Sequence, residues 1–416
     1  MSQSGGRAYC AIPGPTVVPD EVLQAMHRAA PNIYSDEVMA LTEGLIPDLK
    51  RVARTDGDVA IYICNGHGTW EAALANLVAP GERVLVPATG RFGHGWARMA
   101  EAMGIEADVL DFGLETPMDA DRIETVLKAD QNRKIKAILV THVDTSTSLR
   151  NDVKAISDAI HAADHPALLL ADCIASMGCD RFEMDAWGAD VAVTGSQKGL
   201  MTPPGAGFVF FNEKAAQTRA AMPRVSPYWD WAPRVHPEEL YLYFAGTAPT
   251  HHLYGLRASL DMIHAEGMEN VWARHELLAR AVWAASEAWG QDGSLRLNVA
   301  NPDHRSSAVT TVRLPAPDAA RLRAWVEENT GVTLGLAIGM QRKDDPEGTG
   351  VFRIGHMGHV NAHMVLGVLG AIETGLSALN IAHGAGGVSA ATQVLAQTQA
   401  ETQAAQTVKN VYSGAA

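Results

Sequence analysis

A chain of 416 residues is too long for one hydrophobic core, since cores stop growing near ~250–300 residues, so a large domain plus a smaller one is expected. The composition, 47% hydrophobic and 19% charged, is that of a globular protein, and a net charge of −14 without a basic cluster argues against nucleic acid as a partner while leaving room for a small anionic substrate. Four cysteines without a CxxC pair suit a reducing compartment, no apolar run approaches the ~18 residues of a membrane span, and the stretch from Met1 to Tyr9 lacks the apolar core of a signal peptide, so a soluble cytoplasmic protein is expected.

Residues 1–19 read as an N-terminal arm and residues 20–263 as the large domain. Within the latter, Val59–Ile63, Arg83–Val86, Ala107–Leu110, Lys136–Thr141, Ala167–Asp172, Val191–Thr194 and Gly207–Phe211 are short runs, mostly of continuous apolar residues. Strands buried on both faces look like this. Helical segments such as Glu71–Val78 and Asp152–Ala163 supply the crossovers, giving a doubly wound α/β domain around a mainly parallel seven-stranded sheet. Residues 264–380 form the smaller α+β domain. It holds a long helix at Met268–Trp289, a strand at Ala308–Leu314, a helix from Asp318, a strand ending Phe352–Ile354 and an apolar helix at Ala362–Leu376. In residues 381–416, Val388, Ala391, Leu395 and Thr398 keep a helical spacing before a tail rich in Ala, Gln, Thr and Gly.

Ligands of such sheets sit beyond the carboxyl ends of the strands. After Val59–Ile63 comes Cys64-Asn65-Gly66-His67-Gly68-Thr69, with a helix expected to open at Trp70-Glu71. Small residues there let the backbone crowd an anion, and helix-start N–H groups attract phosphate. The third glycine of a dinucleotide fingerprint would fall at Glu71, and no GK[ST] is present, so neither common nucleotide loop applies; alone, the segment reads as a turn built for folding. Asp172 ends an apolar strand, where a carboxylate needs a cationic or protonated partner, although alone it reads as a helix cap. Lys198, in Gly195-Ser196-Gln197-Lys198-Gly199, is flanked by small residues and followed by Met201-Thr202-Pro203-Pro204-Gly205, a close-packed turn with no use at a free surface.

Together these segments resemble the class V aminotransferases of pyridoxal-phosphate (PLP) fold type I, in particular the alanine–glyoxylate, serine–glyoxylate and pyridoxamine–pyruvate branch. The resemblance runs from Pro13-Gly14-Pro15-Thr16 to Arg353-Ile354-Gly355-His356-Met357-Gly358, and its most specific element is Asp172 followed 26 positions later by Lys198. It implies pyridoxal 5′-phosphate as cofactor, bonded covalently to Lys198, which also moves the substrate's proton; Asp172 would keep the pyridine nitrogen protonated. It places Asn65, Gly66, His67 and Gln197 around the phosphate, Phe92 against one face of the ring, Ile174 against the other, and Thr145 near the 3-hydroxyl edge. Many members carry Trp where Phe92 stands. Thr247 matches a residue that reaches the phosphate from the neighbouring subunit, implying at least a dimer with shared sites. Thr-Ala-Pro-Thr replaces the family's commoner Thr-Pro-Ala-Thr there, and Phe244 stands where some members have a phosphate-binding Tyr. Arg353 matches the arginine that clamps the substrate carboxylate with its planar fork, and Tyr34 would line the entrance.

The activity implied is transamination between a small amino acid and a 2-oxo acid of the glyoxylate or pyruvate type. The alternative is a PLP-dependent lyase or elimination enzyme of the same fold. Cysteine desulfurases, which share the fold, need a nucleophilic cysteine late in the chain, whereas Cys10, Cys64, Cys173 and Cys179 all precede residue 180. Neither His251-His252 nor His356 with His359 has a metal-ligand spacing, so no metal is expected among the 16 histidines.

Overall fold

A computed structural model describes residues 4–397. Seven strands form one sheet in the spatial order Asp58–Tyr62, Gly207–Phe211, Val191–Gly195, Leu168–Asp172, Ile135–Thr141, Arg83–Ala88 and Glu106–Asp111. Neighbours run parallel except around Gly207–Phe211, which is antiparallel to both strands beside it. The sheet is therefore mainly parallel, as the continuous apolar runs imply.

Successive side chains of a strand point to opposite faces. Ile138, Val140, Leu169 and Ala171 accordingly enter one core with Leu45, Leu49, Ile156 and Leu256, while Ala137, Leu139, Leu168 and Leu170 enter another with Trp70, Leu74 and Trp96. Helices cover both faces, which is why the inner strands are buried end to end. The outer strand Glu106–Asp111 is largely exposed, and its acidic residues discourage pairing with another chain.

A second core lies between a three-stranded antiparallel sheet (Arg296–Leu297, Val309–Arg313, Val351–Gly355) and the helices Met268–Gly290, Asp318–Thr330 and Ala362–Ala378. The start of the chain is tied to this unit. Tyr9–Ala11 pairs in parallel with Val332–Leu334, and Ala11 joins the second core. The chain then crosses to the large sheet, where the Thr16 amide donates to the Gln197 carbonyl at 3.0 Å. Residues 387–397 are helical, with Val388, Val394 and Leu395 packed on the second core. Thr398 and the tail beyond it lie outside the described residues. No helix among the described residues is long and apolar enough to cross a membrane.

Candidate active site

The strand ends converge on a cleft of about 240 Å³ lined by Asn65, Gly66, His67, Trp70, Phe92, Val143, Thr145, Asp172, Ile174, Ala175, Gln197 and Lys198. Nine of these twelve are residues singled out from the sequence; Trp70, Val143 and Ala175 are not. The helix behind the first loop runs Gly66–Leu77 and so starts before the expected Trp70. Asn65 is the reason. Its side-chain oxygen accepts the amides of His67 (3.1 Å) and Gly68 (3.4 Å), which caps a helix whose first turn is too glycine-rich to show a helical pattern. Helix-start dipoles thus face the cleft.

Opposite this loop, the Lys198 turn is wedged in place. A Cβ on Gly199 would fall 2.2 Å from the Met177 carbonyl oxygen, so only glycine allows the turn to lie so close to its neighbour. The Thr16 hydroxyl donates to the Lys198 carbonyl at 3.0 Å, and the Lys198 ammonium donates to the Pro13 carbonyl. Gly14, at φ +93°, gives that side chain room, since a Cβ there would sit 2.4 Å from Nζ. Pro13 and Gly14 therefore belong to the Lys198 environment.

Asp172 is 3% exposed and accepts the Ile174 amide at 2.8 Å, capping a turn; no helix lies between it and the strand Val191–Gly195, so it is not the helix cap it resembles when read alone. Burial, reinforced by the nearby Asp144 charge, raises its pKa to about 7 against the pull of the Ile174 amide and of Lys198. The Trp70 indole N–H faces the same carboxyl without completing a hydrogen bond. Desolvation, helped by the Arg353 charge, lowers the Lys198 pKa to about 8. The cleft thus joins an amine and a carboxyl that both change charge near neutrality, a pattern typical of chemistry rather than of packing.

The walls are apolar. Trp70 stacks on Trp96 (5.7 Å between centroids, 13° between planes) and meets Phe92 edge-on at 6.3 Å. Ile174 stands on the other side, where a Cβ on Gly66 would strike it at 2.4 Å. Phe92 is held by its backbone: Asp144 accepts the amides of Phe92 (2.8 Å), Gly93 (3.3 Å) and Ser146 (2.9 Å), capping the helix Arg91–Ala102. Asp144 immediately precedes Thr145, and its signal is the Asp-x-Ser spacing of a side chain that folds back on its own turn.

Arg353 stands just outside the cleft lining. It is 4% exposed and donates to two neutral carbonyls, Leu336 (2.6 Å) and Thr145 (2.7 Å). It forms no ion pair with the described residues, whereas Arg305 and Arg313, nearly as buried, pair with Glu287 and Glu115. Its guanidinium charge is therefore available to an anion. Tyr34 and Thr247 lie elsewhere. They share an open groove with Ile33, Met39, Glu238, Glu239, Leu240, Tyr241 and Ala248, and Tyr34 is 92% exposed. Phe244 is buried in the core of its own chain. Of the remaining histidines, His356 bonds Thr310 and the Ser307 carbonyl, His251 the Arg28 carbonyl and His252 the Pro204 carbonyl. No group of three or more His, Cys, Asp or Glu among the described residues is placed to hold a metal.

Comparison with known proteins bears on this cleft. The model of the family described as Aminotransferase class-V matches residues 9–353. A serine–glyoxylate aminotransferase of Methylorubrum extorquens is 36% identical over 89% of this chain and 91% of its own length. An L-aspartate–glyoxylate aminotransferase of Paracoccus denitrificans is 35% identical over 94% of this chain and 97% of its own. Among solved structures, pyridoxamine–pyruvate aminotransferase from Mesorhizobium loti superposes with a TM-score of 0.85 at 25% identity, covering 96% of this chain and all of that one.

Proposed function

Because the chain belongs to the class-V aminotransferase family, and so moves amino groups, we propose that it carries pyridoxal 5′-phosphate and transfers an amino group from a small amino acid to glyoxylate or a similar 2-oxo acid. The observation that carries the reading is the joint placement of Lys198 and Asp172 in one cleft, with the unpaired guanidinium of Arg353 beside it.

The residues fit the cofactor. The glycine-bearing start of the helix Gly66–Leu77 offers backbone to a phosphate, with Asn65, His67 and the unpartnered side-chain oxygen-bearing amide of Gln197 around it. Phe92 and Ile174 would hold a flat ring between them, and Asp172 would keep a ring nitrogen protonated. When bound, the cofactor supplies an aldehyde that bonds amines and a cationic ring that takes up electrons from the substrate's α-carbon. Lys198, its pKa lowered to about 8, exists partly as the free base near neutral pH and can take a proton from that carbon and return it. Arg353 binds the carboxylate that donor and acceptor share, while the apolar walls keep water from the reacting atoms.

The buried cysteines lend no support to the desulfurase form of the alternative. Burial raises the pKa of Cys64 and of Cys179 to about 12 and lifts that of Cys173 well above its ordinary value, so none of these offers a thiolate. The exposed groove holding Tyr34 and Thr247 suits a second subunit of a homodimer, in which these residues complete the neighbour's site.

The test is a pair of half-reactions. Amino acids offered singly to the loaded enzyme are expected to leave the amino group on the cofactor, and glyoxylate is expected to take it off. Release of ammonia with the oxo acid, and no stored amino group, overturns the reading in favour of elimination.

A further inference from the structure

We propose that Arg274 and His275, adjacent on the helix Met268–Gly290, are positioning residues that hold the Arg353 strand in register with the Lys198 turn. The proposal rests on the reading of Lys198 and Arg353 given above. Together the two side chains take both backbone polar groups of Gly358. His275 Nε2 accepts the Gly358 N–H at 3.0 Å, and Arg274 Nη1 donates to the Gly358 carbonyl at 3.2 Å and to the Val360 carbonyl at 2.8 Å.

The roles of the imidazole nitrogens are fixed by their partners. His275 Nδ1 lies 2.7 Å from the Val271 carbonyl, which can only accept, so Nδ1 carries the hydrogen and Nε2 is left as the acceptor. Burial keeps the ring neutral, its pKa lowered to about 3. Arg274 is itself aimed by Glu266, which takes Nε at 2.5 Å and Nη2 at 2.9 Å in a two-pronged pair across the helix junction at Gly267.

Gly358 is the point where the smaller unit touches the backbone of the Lys198 turn. Its φ is +78°, and a Cβ there would lie 3.3 Å from each of the Lys198 carbonyl oxygen, Met201 Cγ and the Thr16 hydroxyl. Between Arg353 and Gly358 the backbone has little freedom: the His356 amide donates to the Ala308 carbonyl at 3.0 Å, and its ring bridges Thr310 and Ser307. On the other side, Arg353 exchanges both backbone hydrogen bonds with Gly335. A shift of Gly358 is thus carried along the strand to the guanidinium, and a guanidinium displaced from the Lys198 turn meets the substrate carboxylate out of line.

The test uses cofactor-loaded enzyme. His275→Leu removes the acceptor and strands a buried N–H, while His275→Gln restores an acceptor oxygen. His275→Leu is expected to raise KM for the amino donor and for glyoxylate together, by about five- to tenfold. Its kcat is expected to stay within about twofold, because the groups that move the proton are untouched. His275→Gln is expected to recover most of the loss. Arg274→Met, at a partly exposed position, is expected to give the same split and decides the matter if His275→Leu does not fold. Loss of kcat and cofactor content with both KM values unmoved would mean a purely structural role and overturn the proposal. Unchanged KM values in both variants, beside raised ones in Arg353→Lys, overturn it while leaving the site reading intact; unchanged values in Arg353→Lys overturn both.

Discussion

A carboxyl group shut away from water, with no cation at salt-bridge distance among the described residues, costs energy to ionise, and Asp172 is such a group. Its folded pKa, about 7, lies above the ordinary value of 3.8, so the cofactor-free protein binds more protons folded than unfolded between those limits. Its contribution to stability is therefore fully present below about pH 4 and lost as the pH rises through about 7. Asp172→Asn has no such dependence. Cofactor-free D172N should match the wild type in denaturant melts near pH 4 and exceed it above pH 7, by on the order of 4 kcal/mol at most; a gap that does not change with pH would show that the carboxyl is not held neutral. The loaded enzyme should respond in the opposite sense, because a ring nitrogen now needs the charge. Turnover of D172N is expected to fall by ~10² or more with cofactor retention little changed, and near-normal turnover would reduce Asp172 to the turn cap that its bond to Ile174 already makes it. Arg353 makes the complementary case. Lysine keeps the charge but not the fork, so Arg353→Lys should lower kcat/KM by roughly ten- to a hundredfold for amino and oxo acids alike. Equal loss with an amine lacking the carboxylate would show that the side chain merely ties Leu336 to Thr145.

Among the elements, the helix Arg91–Ala102 depends most on one side chain. Asp144 caps it from another segment, taking the Phe92 and Gly93 amides, and the cap sets where the Phe92 ring stands over the cleft. Asp119 caps the helix Ala120–Ala129 through Asp121 and Arg122 and is not among the residues that line the cleft. Asp144→Ala should cost at least ~2 kcal/mol and weaken cofactor retention, whereas Asp119→Ala should cost ~1 kcal/mol and leave retention alone. Thermal melts with cofactor titration check both, and equal retention in the two variants would separate the cap from the site. The inner strands were legible because burial on both faces writes them as apolar runs, and Lys198, Asp172 and the Asn65 loop stood out where those runs end, whereas Phe92, Thr145, Ile174 and Gln197 came from the family resemblance. The early start at Gly66 was not legible, since Gly-His-Gly carries no helical pattern and Asn65 acts through a single oxygen. Nor was Tyr9–Ala11, whose partner strand lies more than three hundred residues away. Trp70 enters the sequence reading only as an expected helix start; the fold buries it and turns its indole N–H toward Asp172.

At the scale of the whole molecule, the relation that matters is between the cleft and the groove that holds Tyr34 and Thr247. Resemblance places Thr247 at the cofactor phosphate and Tyr34 at the substrate entrance, yet within one chain they line a different surface, with Tyr34 almost wholly exposed. Two arrangements are compatible with that geometry: either the match does not carry over to these positions, or a second subunit presents them to the first subunit's cleft. Exposed tyrosines at 34 and 241 beside buried Ala248 resemble the aromatic centre of an interface more than a solvated face. Complementation separates the arrangements. Lys198→Ala destroys the site built on its own cleft, and Thr247→Ala would damage only the partner's. In a mixed dimer, one site then carries both lesions and the other carries neither. After subunit exchange at equal amounts, half the dimers are mixed and each holds one intact site, so about a quarter of wild-type activity should return at limiting cofactor. Each variant alone should show far less. Exchange demonstrated by mass or by tag, with no activity regained, would assign Thr247 to its own chain's surface and leave each cleft to work unaided.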